Sequence, residues 1–246
     1  MTSLIDHTVI VTGATGSAGV AVVRRLRTVG ATVIGTGRDR EKLRELARAT
    51  DEAGGTFHGD VVDLTDDEAV RRWAAVVRQR GTVDGVIHLV GGWRGGAMFT
   101  DNTATDAEWL RDQLVRTTQR LTLAFHDDLL TAPAGRFAIV SAPAATNPTP
   151  GNAAYAAAKA AAETWTRALA SSFRKAQSGR TGEPEPQRTA ATIFVVRMLV
   201  DDAMRAAAPD KAFTSATDVE DLAAAVVALW EADAADVNGA RIMLTP

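Results

Sequence analysis

The chain has 246 residues, of which 46% are hydrophobic and 23% are charged, and its formal net charge is −3. This composition is typical of a soluble globular protein, and the near-neutral charge indicates no nucleic-acid partner. The chain contains no cysteine, which excludes disulfide bonds, a cysteine nucleophile and thiolate metal ligands.

Strand patterns and helix patterns alternate along most of the chain. Short apolar runs predict seven strands, at Thr8–Val11, Ala31–Gly35, Thr56–His58, Val83–Val90, Arg136–Val140, Thr192–Val196 and Arg241–Leu244. Apolar residues at helical spacing predict helices at Val20–Val29, Asp39–Ala49, Asp66–Arg78, Ala107–Leu130 (continuous or with a break), Ala153–Lys175 and Asp218–Trp230. This order predicts a doubly wound α/β fold, with about seven parallel strands and helices on both faces of the sheet.

The segment Gln177–Arg188 is rich in glycine, proline and charge, and it is the one linker-like stretch. We interpret it as a surface loop within a single domain covering residues 1–246, with a lid over substrate as the alternative. The first residues lack a basic region before the apolar run, and no apolar stretch reaches the roughly 20 residues that span a bilayer. We therefore expect a cytoplasmic protein with no membrane partner. The four histidines lie far apart, which predicts no metal site.

A glycine-rich turn follows the first predicted strand, and a helix begins directly after it. Glycines at spacing three allow the backbone to approach a pyrophosphate, which binds the free N–H groups at a helix N-terminus. The turn therefore predicts a dinucleotide site, and a tight turn that binds nothing is the alternative. The predicted contacts in this turn are Gly13, Thr15, Gly16, Ser17 and Ala18.

The end of the second strand predicts which dinucleotide is bound. An acidic residue there would accept hydrogen bonds from the adenosine ribose and favour NAD, but the position falls near Thr36 or Gly37. Arg38 follows directly and suits the additional phosphate of NADP, so we predict NADP(H) in preference to NAD(H). A solvated surface charge is the alternative for Arg38. Asp60, at the end of the third strand, is a candidate acceptor for the adenine amino group or a turn cap.

Tyr155 is the only tyrosine of the chain, and Lys159 is one of four lysines. Residues four apart share one face of a helix, so the phenol and the ammonium can meet the same ligand. A nearby cation lowers the pKa of a phenol and assists it as a general acid or base. The pair therefore predicts proton transfer chemistry.

With this pair, the sequence resembles the short-chain dehydrogenase/reductase family along essentially its whole length. The resemblance implies a Rossmann fold and a nicotinamide cofactor, with Tyr155 moving the carbonyl or hydroxyl proton. It implies that Lys159 binds the nicotinamide ribose and lowers the pKa of the tyrosine. It also implies a homodimer or homotetramer built through the helices Ala107–Leu130 and Ala153–Lys175. Further cofactor contacts implied by the resemblance are Asp60, Val61, Val90, Gly91 and Gly92.

Several family positions hold different residues here. The Asn-Asn-Ala-Gly after the fourth strand is replaced by His88–Gly91. The catalytic serine position, thirteen residues before the tyrosine, holds Ala142, and Ser141 is the candidate replacement one residue away. The family's helix asparagine would fall near Arg116 or Thr117 and is missing.

Part of this divergence resembles dihydropteridine reductases, in the segment Gly91–Gly96 and in Thr149-Pro150-Gly151 before the tyrosine. Within the first segment, Trp93 and Arg94 are candidate contacts to an aromatic or anionic substrate, and local packing is their alternative role. We predict an NADP(H)-dependent oxidoreductase that acts on a carbonyl, alcohol or imine-like small molecule. The alternatives are a dihydropteridine-reductase-like enzyme and a non-catalytic nucleotide-binding sensor or regulatory protein.

Overall fold

The structure is a computed structural model, and it describes residues 3–179 and 182–244. Its centre is a parallel sheet of seven strands in the order β3-β2-β1-β4-β5-β6-β9. The strands are β1 (Thr8–Thr12), β2 (Thr32–Gly37), β3 (Thr56–Val61), β4 (Gly85–His88), β5 (Arg136–Ser141), β6 (Ala190–Val195) and β9 (Arg241–Met243). A separate parallel pair joins β7 (Leu199–Val200) to β8 (Thr217–Asp218). The predicted seven-stranded parallel sheet is confirmed.

Helices cover both faces of this sheet. They are α1 (Ser17–Thr28), α2 (Arg40–Ala49), α3 (Asp67–Arg78), α4 (Ala104–Leu110), α5 (Thr117–Thr131), α6 (Ala153–Ala176), α7 (Asp202–Ala207), α8 (Val219–Ala228) and α9 (Ala234–Val237). Trp73, Phe125 and Phe173 bring α3, α5 and α6 into one apolar core, while Leu26 and Leu222 bring α1 and α8 into the other. The inner strands β1, β4, β5 and β6 are buried on both faces and read as largely apolar runs, whereas the edge strand β3 is mostly exposed. The doubly wound prediction is confirmed.

The predicted helix over residues 107–130 is interrupted. A π-helical turn, Arg111–Arg116, separates α4 from α5. At its end, the Thr117 hydroxyl donates to the Gln113 carbonyl at 2.6 Å and the Thr118 hydroxyl donates to the Leu114 carbonyl at 2.7 Å. Threonine hydroxyls that bond to the preceding turn compete with the regular helical ladder, and such bulges are common at functional sites.

The predicted surface loop lies between α6 and β6, and it is anchored at its first residue. The side chain of Gln177 is buried, accepts hydrogen bonds from the Arg188 and Thr189 N–H groups, and donates to the Thr189 hydroxyl. Positions 180 and 181 of this loop lie outside the described residues. Across residues 3–179 and 182–244, the structure contains no helix that is both long and apolar enough to cross a membrane.

Candidate active site

A cavity of about 260 Å³ opens at the carboxyl ends of the central strands. β1 pairs with β2 on one side and with β4 on the other, so the chain leaves these strands in opposite directions. The resulting crevice is where open α/β sheets bind their ligands. The lining residues are Gly13, Thr15, Gly16, Thr36, Gly37, Arg38, Val62, Asp63, Leu64, Thr65, Leu89, Val90, Gly91, Gln113 and Thr117.

The glycine-rich turn forms one wall of this cavity. Gly13 has a φ of +71°, in the left-handed region that favours glycine. A Cβ atom at Gly19 would lie 2.3 Å from the Gly13 carbonyl oxygen, so only glycine allows the first turn of α1 to pack so closely on the loop. The N-cap of α1 is Gly16, and no side chain of the described residues caps this helix end.

The open end of α1 differs from most other helix ends in the protein. Aspartate or threonine side chains cap the N-termini of the other helices that begin after a loop, apart from α6 (the capping residues are Asp39, Asp66, Thr103, Asp201, Asp218 and Asp233). Helix N–H groups that no side chain satisfies, together with the positive end of the helix dipole, fit an anion such as a pyrophosphate. The donor groups present therefore fit a dinucleotide cofactor.

Arg38 and Asp63 line the outer part of the cavity, at the ends of β2 and β3. The carboxylate of Asp63 accepts hydrogen bonds from the Thr65 hydroxyl at 2.7 Å and the Thr65 N–H at 2.9 Å. These hydrogen bonds, with a smaller contribution from the Arg38 and Arg120 charges, lower the pKa of Asp63 below its usual value. Asp63 is thus an ionised acceptor beside a cation.

The structure places neither Asp60 nor Val61, two of the predicted cofactor contacts, in the lining of the cavity. The Asp60 carboxylate accepts hydrogen bonds from the Trp73 indole at 2.8 Å and from the Arg80 guanidinium at 2.8 and 3.1 Å. Its acceptor capacity therefore serves the packing of α3 against the sheet. Val61 is 44% exposed. The acidic residue in the cavity lining is Asp63, which the sequence analysis did not single out.

The other predicted cofactor contacts divide into two sets. Val90 and Gly91 line the cavity together with Gly13, Thr15 and Gly16. Ser17 instead lines a neighbouring groove beside α8, and Ala18 packs partly buried against the adjoining apolar core. Gly92 packs under the Trp109 ring, where a Cβ atom would lie 2.4 Å from the ring edge.

Tyr155 and Lys159 lie on the first two turns of α6. The Lys159 ammonium is 5.7 Å from the centre of the Tyr155 ring and donates a 2.7 Å hydrogen bond to the Val140 carbonyl at the end of β5. Tyr155 packs against the apolar cluster of Leu110, Leu114 and Ala158, and Leu114 lies 3.6 Å from the place of a Cβ atom at Gly91. The described residues that line the cavity do not include Tyr155, but they include Gln113, which is adjacent in sequence to Leu114 of this cluster.

Burial acts on both members of this pair. It raises the pKa of the Tyr155 phenol, which therefore holds its proton at neutral pH. Burial also lowers the pKa of Lys159 to about 8, while the negative charge of Glu163 acts in the opposite direction. A protonated phenol next to an ammonium that is still charged at pH 7 suits proton donation followed by stabilisation of the phenolate.

Ser141, the candidate catalytic serine, does not face an open site. It is 1% exposed, and its hydroxyl donates a 2.6 Å hydrogen bond to the buried carboxylate of Glu163. Because alternate residues of a strand point to opposite faces, a side chain at Ser141 and one at Ala142 cannot replace each other. We therefore correct the prediction: the hydroxyl of Ser141 belongs to the buried network around Glu163.

His88 stands where the resemblance implies an asparagine, and it links three elements. One ring nitrogen lies 2.6 Å from the Thr12 hydroxyl on β1, and the other lies 3.0 Å from the Thr117 hydroxyl at the start of α5. Since Thr117 donates to the Gln113 carbonyl, its oxygen accepts from His88 Nε2–H, which makes the ring a neutral tautomer. Burial, with a smaller effect of the Lys159 charge, lowers the pKa of His88 to about 3.

This buried neutral histidine predicts a loss of stability in acid. Between pH 6.5 and about 3 the unfolded chain binds a proton at His88 that the folded protein excludes, so stability falls as the pH falls through this window. Urea unfolding should show that the free energy of unfolding of His88→Asn falls by about 1.6 kcal/mol less than that of the parent protein between pH 6.5 and pH 5. The exposed His58, changed to Asn, is the control, and an equal pH dependence in all three proteins would contradict the assignment.

The predicted substrate residues lie on the segment after β4. Trp93 is 61% exposed. Arg94 donates a 2.7 Å hydrogen bond to Asp106 and stacks 4.3 Å from the centre of the Trp109 ring. Arg94 is therefore held by α4, in agreement with the alternative of local packing, whereas Trp93 is left accessible.

This segment is also fastened to the turn that precedes α6. The Gly96 N–H donates to the Gly151 carbonyl at 2.8 Å, and the Asn102 amide bridges the Pro150 carbonyl and the Ala154 N–H. A Cβ atom at Gly151 would lie 1.9 Å from the Gly96 carbonyl oxygen, so glycine is required for this contact. The loop after β4 and the start of the helix that carries Tyr155 thus form one unit.

A family model described as short chain dehydrogenase matches residues 7–177. This span exceeds half of the 246 residues, and the chain therefore belongs to the short chain dehydrogenase family. The family has a nicotinamide cofactor and oxidoreductase chemistry in common, in agreement with the cavity and with the predicted class of protein.

Among curated proteins, the chain is similar to serine 3-dehydrogenase of Agrobacterium fabrum, with 41% identity over 73 residues, which are 30% of this chain and 28% of that protein. It is also similar to 3beta-hydroxysteroid dehydrogenase of Mediterraneibacter gnavus, with 29% identity over 167 residues, 67% of this chain and 60% of that protein. The chain spans about a third or less of the length of three curated relatives: this serine 3-dehydrogenase, the serine 3-dehydrogenase of Rhizobium radiobacter, and a putative ketoacyl reductase of the granaticin polyketide synthase of Streptomyces violaceoruber.

Two solved structures illustrate the shared fold. One is a short chain oxidoreductase from Pseudomonas aeruginosa, solved with NADPH bound and described as containing an atypical catalytic center (TM-score 0.84, 21% identity, 99% of this chain and 97% of that chain). The other is a short chain dehydrogenase from Shigella flexneri complexed with NADP (TM-score 0.84, 22% identity, 99% of both chains). At these identities the likeness establishes the fold alone.

Proposed function

We propose that the protein is an NADP(H)-dependent oxidoreductase that transfers hydride between the nicotinamide and a carbonyl, alcohol or imine-like carbon of a small molecule. One observation carries the proposal. Tyr155 and the buried Lys159 ammonium lie together at the start of α6, which packs against Leu114, the neighbour of Gln113 in the cavity lining. The same cavity is lined by the glycine-rich turn that leads into the uncapped N-terminus of α1. NADPH and NADP in two structures of the same fold give further support.

Different residues of the cavity would bind different parts of the cofactor. The N–H groups at the start of α1, near Gly16, would hold the pyrophosphate, and Arg38 would pair with the 2′-phosphate of the adenosine. The Asp63 carboxylate would accept a hydrogen bond from the adenine amino group. When bound, the nicotinamide would supply or accept the hydride.

Tyr155 would handle the proton. In the reducing direction its phenol donates a proton to the substrate oxygen, and in the oxidising direction the phenolate takes it back. The Lys159 ammonium stabilises the phenolate and is held in place by the Val140 carbonyl. With Ala142 in place of the family serine and Ser141 bound to Glu163, Tyr155 is the donor that we assign to the substrate oxygen.

The exposed ring of Trp93 lies on the segment that is fastened to the start of α6, and we assign it to the substrate. A flat aromatic face suits an aromatic or other planar substrate. Quinones and quinonoid pterins, which are planar carbonyl or imine compounds, are therefore among the first substrates to test. The resemblance to dihydropteridine reductases stays a prediction.

Arg38 provides the test of the cofactor. We expect Arg38→Ala to weaken NADPH binding by about 10–100-fold and to leave NADH binding within about twofold, because only NADPH carries the 2′-phosphate that the guanidinium pairs with. Fluorescence titration of each nucleotide measures this change. Arg40→Ala is the matched control, since Arg40 begins α2 and lies outside the cavity lining. Equal effects of both variants on NADPH would refute the role of Arg38.

We also propose a homodimer or homotetramer that uses α5 and α6. The support is an apolar groove between these helices, where Leu123 is 71% exposed and lies near His126 and Trp165. Such a patch is typical of a protein–protein contact. The mass of the protein in solution, measured by light scattering, tests this arrangement.

A further inference from the structure

Glu163 is a buried carboxylate that the proposed chemistry does not use. It is 1% exposed and lies on α6, one helical turn after Lys159 and on the same face. Its oxygens accept a 2.6 Å hydrogen bond from the Ser141 hydroxyl, a 2.8 Å bond from Arg167 and two 3.2 Å bonds from Arg241. A buried charge with this many partners is held in one place and costs much free energy to leave unpaired.

The partners of Glu163 also hold the end of β5. Each of three consecutive residues there forms a hydrogen bond with this network. The Val140 carbonyl accepts from Lys159, and the Ser141 hydroxyl donates to Glu163. The Ala142 carbonyl accepts from Arg241 at 3.1 Å. Arg241 is on β9, so the edge strand of the sheet joins the same network. The carbonyl that anchors the Lys159 ammonium is therefore adjacent to the group that Glu163 holds.

We propose that Glu163 is a positioning residue for Lys159, which fixes the end of β5 through Ser141 and Arg241 and whose negative charge keeps the Lys159 ammonium protonated beside Tyr155. The effect of Glu163 on catalysis rests on the proposed function, but its effect on the protonation of Lys159 does not. An uncharged glutamine at position 163 would keep the hydrogen bond with Ser141 but would no longer stabilise the Lys159 ammonium by its charge.

The charges that act on this pair come from several elements. Lys159 faces Tyr155 and Glu163 on its own helix. The charge of Lys159 also acts on the neutral His88 of β4. Glu163 faces Arg167 on α6 and Arg241 on β9. Removal of Glu163's charge should therefore favour the neutral amine of Lys159, and removal of Arg241's charge should favour the ammonium.

The chain is suited to a direct measurement, because it contains only four lysines (Lys42, Lys159, Lys175 and Lys211). With lysine labelled by ¹³C at Cε, the titration of Lys159 can be followed by NMR in the full protein, and its signal assigned by its loss in Lys159→Met. We expect Glu163→Gln to lower the titration midpoint of Lys159 by about one pH unit and Arg241→Gln to raise it. Ser141→Ala keeps the carboxylate, so it should shift the midpoint by much less.

Activity gives the second measurement. In Glu163→Gln the alkaline limb of the kcat/KM profile for NADPH oxidation should move to lower pH by about the same amount, and Glu163→Asp should restore most of it. A Lys159 midpoint that stays in place in both Glu163→Gln and Arg241→Gln would overturn the inference. If Glu163→Gln does not fold, Arg241→Gln provides the test: a raised titration midpoint of Lys159 supports the inference, and an unchanged or lowered midpoint overturns it.

These results separate the two proposals. Turnover that depends on Tyr155, together with an unmoved Lys159 titration, refutes the role of Glu163 and leaves the proposed function standing. A moved Lys159 titration in a protein without turnover supports the role of Glu163 and refutes the oxidoreductase proposal.

Discussion

Tyr155→Phe should reduce the rate of NADPH-dependent carbonyl reduction by about 10²–10⁴-fold, the range expected when a positioned general acid is lost. The change removes one oxygen atom and leaves a ring that packs against the cluster of Leu110, Leu114 and Ala158, so the fold and the cavity should be retained. Steady-state NADPH oxidation measures the rate, and fluorescence titration of NADPH shows whether the cofactor still binds, within about twofold of the parent protein.

Because Tyr155 is the only tyrosine, the same protein offers a spectroscopic control. The ultraviolet difference spectrum of phenolate formation reports the titration of this one phenol, and burial should place its pKa above the usual value in the free protein. The signal should be missing in Tyr155→Phe. A rate in Tyr155→Phe within about threefold of the parent protein would assign the proton to another group.

The second large effect is expected at Gly19. In Gly19→Ala the new Cβ atom would lie 2.3 Å from the Gly13 carbonyl oxygen and 2.6 Å from that of Ala14, so the glycine-rich turn must move away from α1. We expect a loss of stability of about 1–3 kcal/mol, typical of an overpacked site, and a loss of NADPH affinity of more than about tenfold. Urea unfolding and fluorescence titration measure the two effects.

Gly16→Ala is the matched control for the fold. A Cβ atom there would have its nearest neighbour at 3.5 Å, an ordinary contact, so the variant should keep its stability within about 0.5 kcal/mol. NADPH affinity can still fall in this variant, because Gly16 lines the cavity that would hold the pyrophosphate. Full stability and unchanged NADPH binding in Gly19→Ala would show that the close packing of turn and helix is unimportant.

The sequence was sufficient for features that depend on local pattern. Apolar runs located the inner strands because β1, β4, β5 and β6 are buried on both faces. The spacing of Tyr155 and Lys159 placed both on one face of α6. The glycine-rich turn was found in the same way, since its position between the first strand and the first helix is visible in the chain.

The errors have a common physical cause, which is that side-chain partners come from distant parts of the chain. Asp60 and Asp63 look alike in sequence, but Asp60 is bound by Trp73 and Arg80, thirteen and twenty residues later. The Thr65 hydroxyl, two residues after Asp63, was the one local sign of a fixed carboxylate. Ser141 was misassigned because its partner, Glu163, lies twenty-two residues further on.

The central claim is that this site transfers hydride, and deuterium transfer tests it most directly. NADPH carrying deuterium at C4 of the nicotinamide would be incubated with the parent protein and with Tyr155→Phe, against a panel of aldehydes, ketones, quinones and quinonoid pterins. We expect deuterium on the reduced carbon of at least one product with the parent protein, and a rate reduced by at least about 10²-fold with the variant. NADPH that binds tightly and transfers no deuterium to any acceptor would contradict the claim and identify a nucleotide-binding protein without turnover.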